Sequence, residues 1–174
     1  DHGLLITDLG QNYDLRAEDL VVQPDQKILV AGNTNNNKVA FVSRFESSGS
    51  TDTAFSGDGL ALAGESSDSF STVLSLVLHS SGEIILTALS TNNTTKIFRL
   101  HSDGSFDPLI SSDGLNGDKG KGVTSNSLFS PNNPLTPFDS LLDVEGKLVI
   151  GGTVNKSGAS DHGIFRVNLD YMRP

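Results

Sequence analysis

The chain has 174 residues, enough for one domain with a sizeable core, and its 21 acidic and 12 basic side chains leave a net charge of −9. That balance argues against a nucleic-acid partner, which needs clustered Lys and Arg, and against an anionic membrane surface; it suits solubility or cation binding. No cysteine is present for a disulfide or thiolate metal site, and no apolar run of about 18 residues is present to span a membrane.

The chain opens at Asp1 with neither Met nor an apolar leader, as expected of a processed or excised piece. Gly, Ser, Asn, Asp and Thr are abundant, and Ala, Glu and Leu never gather into a helical stretch, which is the composition of short strands and many turns. A first strand is expected near residues 4–8, in "LLITDLG". The next phrase, "LVVQPDQKILVAG" (20–32), sets two apolar runs around the polar turn Pro24-Asp25-Gln26. It reads as a β-hairpin with strands near 18–23 and 27–32. Its second run is almost wholly apolar, as in a strand buried on both faces. A further strand follows over 39–45, "VAFVSRF", then a turn at Ser48-Gly49, and "GDG" leads into a weaker apolar stretch after Gly59.

The same series then recurs. "LVLHSSGEIILTA" (76–88) repeats the hairpin at a shift of 56 residues, and "LLDVEGKLVIGG" (141–152) repeats it again, with Gly82 and Gly146 in register at a shift of 64. Gly32, Gly151 and Gly152 are expected to allow close backbone packing or a bulge. "KIFRL" and "GIFRV" repeat the third strand, so Arg44, Arg99 and Arg166 occupy one position. In the first two copies an Asp follows eight residues later, Asp52 and Asp107, across a Gly-containing turn. That spacing predicts two structural ion pairs, Arg44–Asp52 and Arg99–Asp107, each clamping its loop; a shared anion-binding surface of arginines is the functional alternative. Four strands per unit of about 55 to 65 residues is the arithmetic of a β-propeller blade. The fold class is therefore all-β: a β-propeller-like repeat of about three four-stranded antiparallel units, with divisions near 1–56, 57–113 and 114–174, forming a partial or open propeller.

These residues carry a family resemblance. Gln23-Pro24-Asp25-Gln26-Lys27, Arg44-Phe45 with Gly49-Ser50-Thr51-Asp52, and Phe55 through Gly59 resemble the delta-60 repeat, a bacterial family of propeller-like units. The second copy retains Gly82, Glu83, Arg99, Asp103-Gly104-Ser105-Phe106-Asp107 and Asp113-Gly114. The resemblance implies a secreted or surface-attached bacterial protein and transfers no catalytic residue. Gln26 departs from the turn Gly of the pattern, which should disfavour a positive φ there.

Propellers typically close with about four to eight blades, and about three are present. The expectation is a fragment of a longer array, an assembly of several copies closing a ring, or an open stack with covered edges. The segment 115–137 adds residues relative to the previous unit, with Pro131, Pro134 and Pro137 at every third position. Insertions at a fixed corner of a repeat mark binding faces, so Phe129, Asn132, Asn133 and Phe138 are candidate ligand contacts.

Other motifs are incomplete. The histidines, His2, His79, His101 and His162, make no H-E-x-x-H or H-x-H pattern, and no G-x-S-x-G elbow occurs. "GDKGKG" (117–122) lacks the G-K-[ST] ending of a phosphate loop. Asp58, Asp103 and Asp113, in repeated Asp-Gly turns, are weak metal candidates; calcium stays open as a ligand and no other cofactor is expected. The expected role is a non-enzymatic scaffold or recognition module, extracellular or at the bacterial cell surface. It would bind protein or glycan through inter-strand loops, without nucleic acid or membrane insertion, and with self-association or continuation in a longer chain open. The alternatives are part of a propeller-fold glycoside hydrolase or lyase, or a calcium-stabilised adhesin segment.

Overall fold

A computed structural model describes residues 14–34, 39–63, 70–91, 95–107, 123–124, 135–156 and 159–169. Three antiparallel sheets stack face to face, each built by strands that pair in chain order. The first holds β1 (Leu15–Val22), β2 (Ile28–Thr34), β3 (Ala40–Phe45) and β4 (Leu60–Ala63). The second holds β5 (Phe70–Leu78), β6 (Ile84–Ser90), β7 (Thr95–Leu100) and β8 (Val123–Thr124). The third holds β9 (Leu135–Leu142), β10 (Leu148–Lys156) and β11 (Ala159–Val167). The architecture is all-β and propeller-like, with open sheets, and among the described residues there is no α-helix. The strand expected at 4–8 lies outside the described residues. The hydrogen-bonded sheets run across the divisions read from the repeat, because β4 joins the first sheet and β8 the second.

Each hairpin turn has one construction. Gln26 N–H bonds to the Gln23 carbonyl at 2.9 Å and Gln23 N–H to the Lys27 carbonyl at 2.8 Å. The second turn repeats both bonds, Gly82 N–H to the His79 carbonyl and His79 N–H to that of Glu83, and the third does so with Gly146, Asp143 and Lys147. This is the three-residue hairpin whose last turn residue takes positive φ. Gly82 and Gly146 adopt φ of 89° and 76°. Gln26 adopts φ of 70°, against the expectation from its side chain. The closing bonds and the paired strands on either side hold it in the left-handed region that local preference disfavours.

The first strands share a second device. The β1–β2 register shifts between Ala17 and Asp19, the β5–β6 register between Val73 and Ser75, and the β10–β9 register at Gly151/Gly152. The residues left out, Glu18, Leu74 and Phe138, stand 56 and 64 apart, so one bulge recurs in every sheet. Gly32 and Gly152 pack at these bulges: an added Cβ would lie 1.9 Å from the Arg16 carbonyl and 2.3 Å from that of Thr136. Gly151 differs, since an added Cβ there meets nothing within 4 Å.

Two apolar layers join the sheets. Leu29, Ala31, Val42 and Ala61 of the first sheet meet Leu76, Ile84, Leu86 and Phe98 of the second. Ile85 and Ile97, on the opposite face of the second sheet, meet Leu148, Ile150 and Val167 of the third. Alternation along each strand thus gives the middle sheet two buried faces, as its near-continuous apolar runs require.

Candidate functional site: the arginine latches and the cleft between the second and third sheets

The eight-residue Arg–Asp spacing closes across a second hairpin. Beyond β3, Gly49 N–H bonds to the Glu46 carbonyl, Phe45 bridges Thr51, and Asp52 N–H bonds to the Arg44 carbonyl at 2.9 Å. Arg44 and Asp52 become cross-strand neighbours, with Arg44 Nε 2.6 Å from Asp52 Oδ2. The second copy repeats this around Gly104, with Arg99 Nε 2.8 Å from Asp107 Oδ2. All four side chains are buried. Asp52 is also held by Lys27 Nζ at 2.8 Å, and Lys27 reaches Glu46 at 3.0 Å. The Lys27 ammonium, opposed by burial and helped by Arg44, holds the Asp52 carboxyl below its ordinary value.

Each guanidinium also crosses to the next sheet. Arg44 Nη1 donates to the Ser102 carbonyl, and Arg99 Nη1 donates to the Leu169 carbonyl at 3.2 Å. Both acceptors lie three residues beyond the arginine of the following sheet, Arg99 and Arg166. The pairing is therefore a latch between blades as well as a clamp within one. Phe55 tightens the first latch: the Arg44 guanidinium lies 4.7 Å above its ring, and Ser56 N–H bonds to the Asp103 carbonyl. Gly104 makes room for that ring, since an added Cβ would come within 2.9 Å of it.

Arg166 takes a different partner. It pairs through Nε and Nη2 with Asp143, in its own sheet's hairpin turn, and lies 3.3 Å from Glu145. The position eight residues on, Pro174, is outside the described residues.

Lys27, Glu46 and Asp52 correspond in the second sheet to Glu83, His101 and Asp107, whose ligand atoms lie within 4.8 Å of one another. This donor set differs from the aspartates singled out in the sequence. The Arg99 guanidinium stands among its carboxylates, 3.7 Å from Glu83 and bonded to Asp107, so a cationic group is already present. Asp58 Oδ1 accepts the Leu60 N–H at 2.9 Å, and Asp103 Oδ1 accepts the Ser105 N–H at 2.9 Å and its hydroxyl at 2.6 Å. Both are exposed and shape turns. Asp113 lies outside the described residues.

A cleft of about 290 Å³ opens between the second and third sheets, over the second latch. Its walls are the β5–β6 turn with His79, Ser80 and Glu83 and the β9–β10 turn with Glu145 and Gly146. Asn168 and Arg99 also line it, with the apolar side chains of Val144 and Leu169. His79 Nδ1 accepts the Ser81 N–H at 3.2 Å, and Ser81 Oγ donates to Glu83 Oε2 at 3.0 Å. The imidazole replaces the Asp143 carboxylate, which caps the third sheet's turn in the same way. His79 Nε2 faces Gly146; an added Cβ there would lie 2.6 Å away. The Glu145 carboxyl is held below its ordinary value by Lys147 first and Arg166 second. Carboxylates, an imidazole and an amide on opposed walls can accept and donate hydrogen bonds to a polyhydroxylated or peptide ligand.

Of the sequence-derived contacts, Phe138 is the β9 bulge residue and is exposed, away from this cleft's lining. Phe129, Asn132 and Asn133 lie outside the described residues. Lys27 and the cleft itself escaped sequence reasoning; the shared position of Lys27, Glu83 and Lys147, directly after each turn, was the available signal.

Fold and latches define a propeller-type repeat protein. Over residues 23–55 and 79–109 the chain matches the family described as a domain of unknown function (DUF5122) beta-propeller. Each matched segment takes in one hairpin turn, two strands and one Arg–Asp clamp. No curated protein and no solved structure matches.

Proposed function

We propose that the chain is a non-enzymatic scaffold and recognition module of a bacterial extracellular or cell-surface protein, built from units of the delta-60 type. It binds a glycan or peptide in the cleft between its second and third sheets. The observation that supports this reading is the use made of the buried charges. Arg44, Asp52, Arg99 and Asp107 tie turns to strands and sheets to one another, which is rigid support for whatever the turns present. The cleft above the second latch carries polar groups on two separate turns that this support holds at fixed separation.

The test is a glycan and peptide array probed with the 174-residue chain, followed by affinity measurement on Ser80→Trp. Ser80 is exposed and lines the cleft, so the indole fills it without disturbing the core. At least tenfold weaker binding with an unchanged melting temperature is the expected result. Unchanged affinity overturns the cleft as the site, and turnover of a chromogenic glycoside panel overturns the non-enzymatic reading.

A further inference from the structure

The two interfaces between sheets use the same positions, and those positions recur on two outer faces. Two residues before the arginine stand Val42, Ile97 and Ile164. Val42 and Ile97 are fully buried against the following sheet, whereas Ile164 is 80% exposed. Val21 and Val77 pack against the following sheets, and their counterpart Leu141 is 56% exposed. The complementary face behaves alike: Leu76 is 4% exposed against the first sheet, and its counterpart Leu20 is 61% exposed beside Val22 at 54%. Among the described residues, the third sheet therefore presents a donor face without its acceptor, and the first sheet an acceptor face without its donor.

The polar latch extends in the same sense. Arg44 and Arg99 each send Nη1 to the carbonyl three residues past the next arginine. Arg166 binds Asp143 through Nε and Nη2, and its Nη1 is the group in register for the next latch. In a first sheet the carbonyl three residues past the arginine is that of Ser47, which is exposed.

We propose that the third sheet's outer face docks on the first sheet's outer face of a second copy of this chain. Ile164 and Leu141 cover Leu20 and Val22, and Arg166 Nη1 bonds to the Ser47 carbonyl of that copy. Continuity with the two interfaces inside the chain selects this occupant, because the same residue classes already meet there in the same order. The contact is head-to-tail, between two different surfaces. Two copies joined at both ends bring six sheets, inside the range of about four to eight at which propellers close.

Light scattering on the eluting 174-residue chain reads the outcome. The wild type is expected at twice the 18.4 kDa chain mass. Leu20→Lys and Ile164→Lys, both at exposed side chains, are each expected to elute as folded monomers, with circular dichroism reporting the fold. Mixed in equal amounts, the two variants are expected to recover a heterodimer, since the pair retains one intact donor face and one intact acceptor face. A wild-type monomer at about 100 µM overturns the proposal. So does a Leu20→Lys variant that associates as strongly as the wild type, because an interface between two identical faces of the third sheet would survive that change. Neither result touches the cleft, whose ligand binding is read on the array independently.

Discussion

Asp52 shows how one carboxylate carries several contacts. Lys27 and Arg44 both donate to its Oδ2, and its Oδ1 accepts the Ala54 N–H at 3.1 Å. Its depressed folded pKa means that the stabilisation is present above the unfolded value, 3.8, and is lost as pH falls through the folded value. Asp52→Asn is expected to cost about 2 kcal/mol at neutral pH and to flatten the acid limb of a melting-temperature profile below about pH 4. Gln26 offers the opposite case. Its φ of 70° is strained for a side chain with a Cβ, and Gly82 and Gly146 show the unstrained solution. Gln26→Gly is expected to raise stability by about 0.5–1 kcal/mol by urea titration, the relief exceeding the added freedom of the unfolded chain.

The repeated strand bulge gives neighbouring glycines opposite meanings. Gly152 lies against the Thr136 backbone, so Gly152→Ala must push two strands apart and is expected to cost about 2 kcal/mol or more. Gly151 has open space at its Cβ position and lies within β10, where Gly is an entropic liability; Gly151→Ala is expected to be neutral or stabilising by about 0.5 kcal/mol. Thermal melts of the two variants side by side check both signs. The pair also shows what was legible at this scale. The sequence marked both glycines for close packing or a bulge, and the strand register decides which of them faces backbone. A bulge depends on how two strands align, and the bulged residues themselves carry no shared signature: Glu18, Leu74 and Phe138 share no chemistry.

Across the whole molecule, the arginine latches convert three separate sheets into one stack. Arg99 is almost fully buried, and removing it takes the guanidinium from the buried Asp107 carboxylate. Arg99→Met is expected to cost about 3–5 kcal/mol, and Arg99→Met with Asp107→Leu to recover part of that loss, because the buried carboxylate then leaves together with its guanidinium while Glu83 stays. Denaturation of the two variants measures the difference. Docking of a second copy would make the melting temperature rise with protein concentration, since association stabilises the folded chain by mass action.

The sequence by itself determined the hairpins, their turns, the buried character of the middle strands and the Arg–Asp clamps within a copy. All of these depend on spacing along the chain: alternation with period two, a Gly or polar triplet between apolar runs, and eight residues around a tight turn. The tertiary structure decided which sheet each closing strand joins, the φ of Gln26, the turn to Asp143 taken by Arg166 and the cleft over the second latch. It also decided the arginines' second partners, the carbonyls of Ser102 and Leu169. Every residue has a carbonyl, so an interaction that ends on one is written in no side chain. It exists only once the sheets have stacked and brought a particular stretch of backbone within reach.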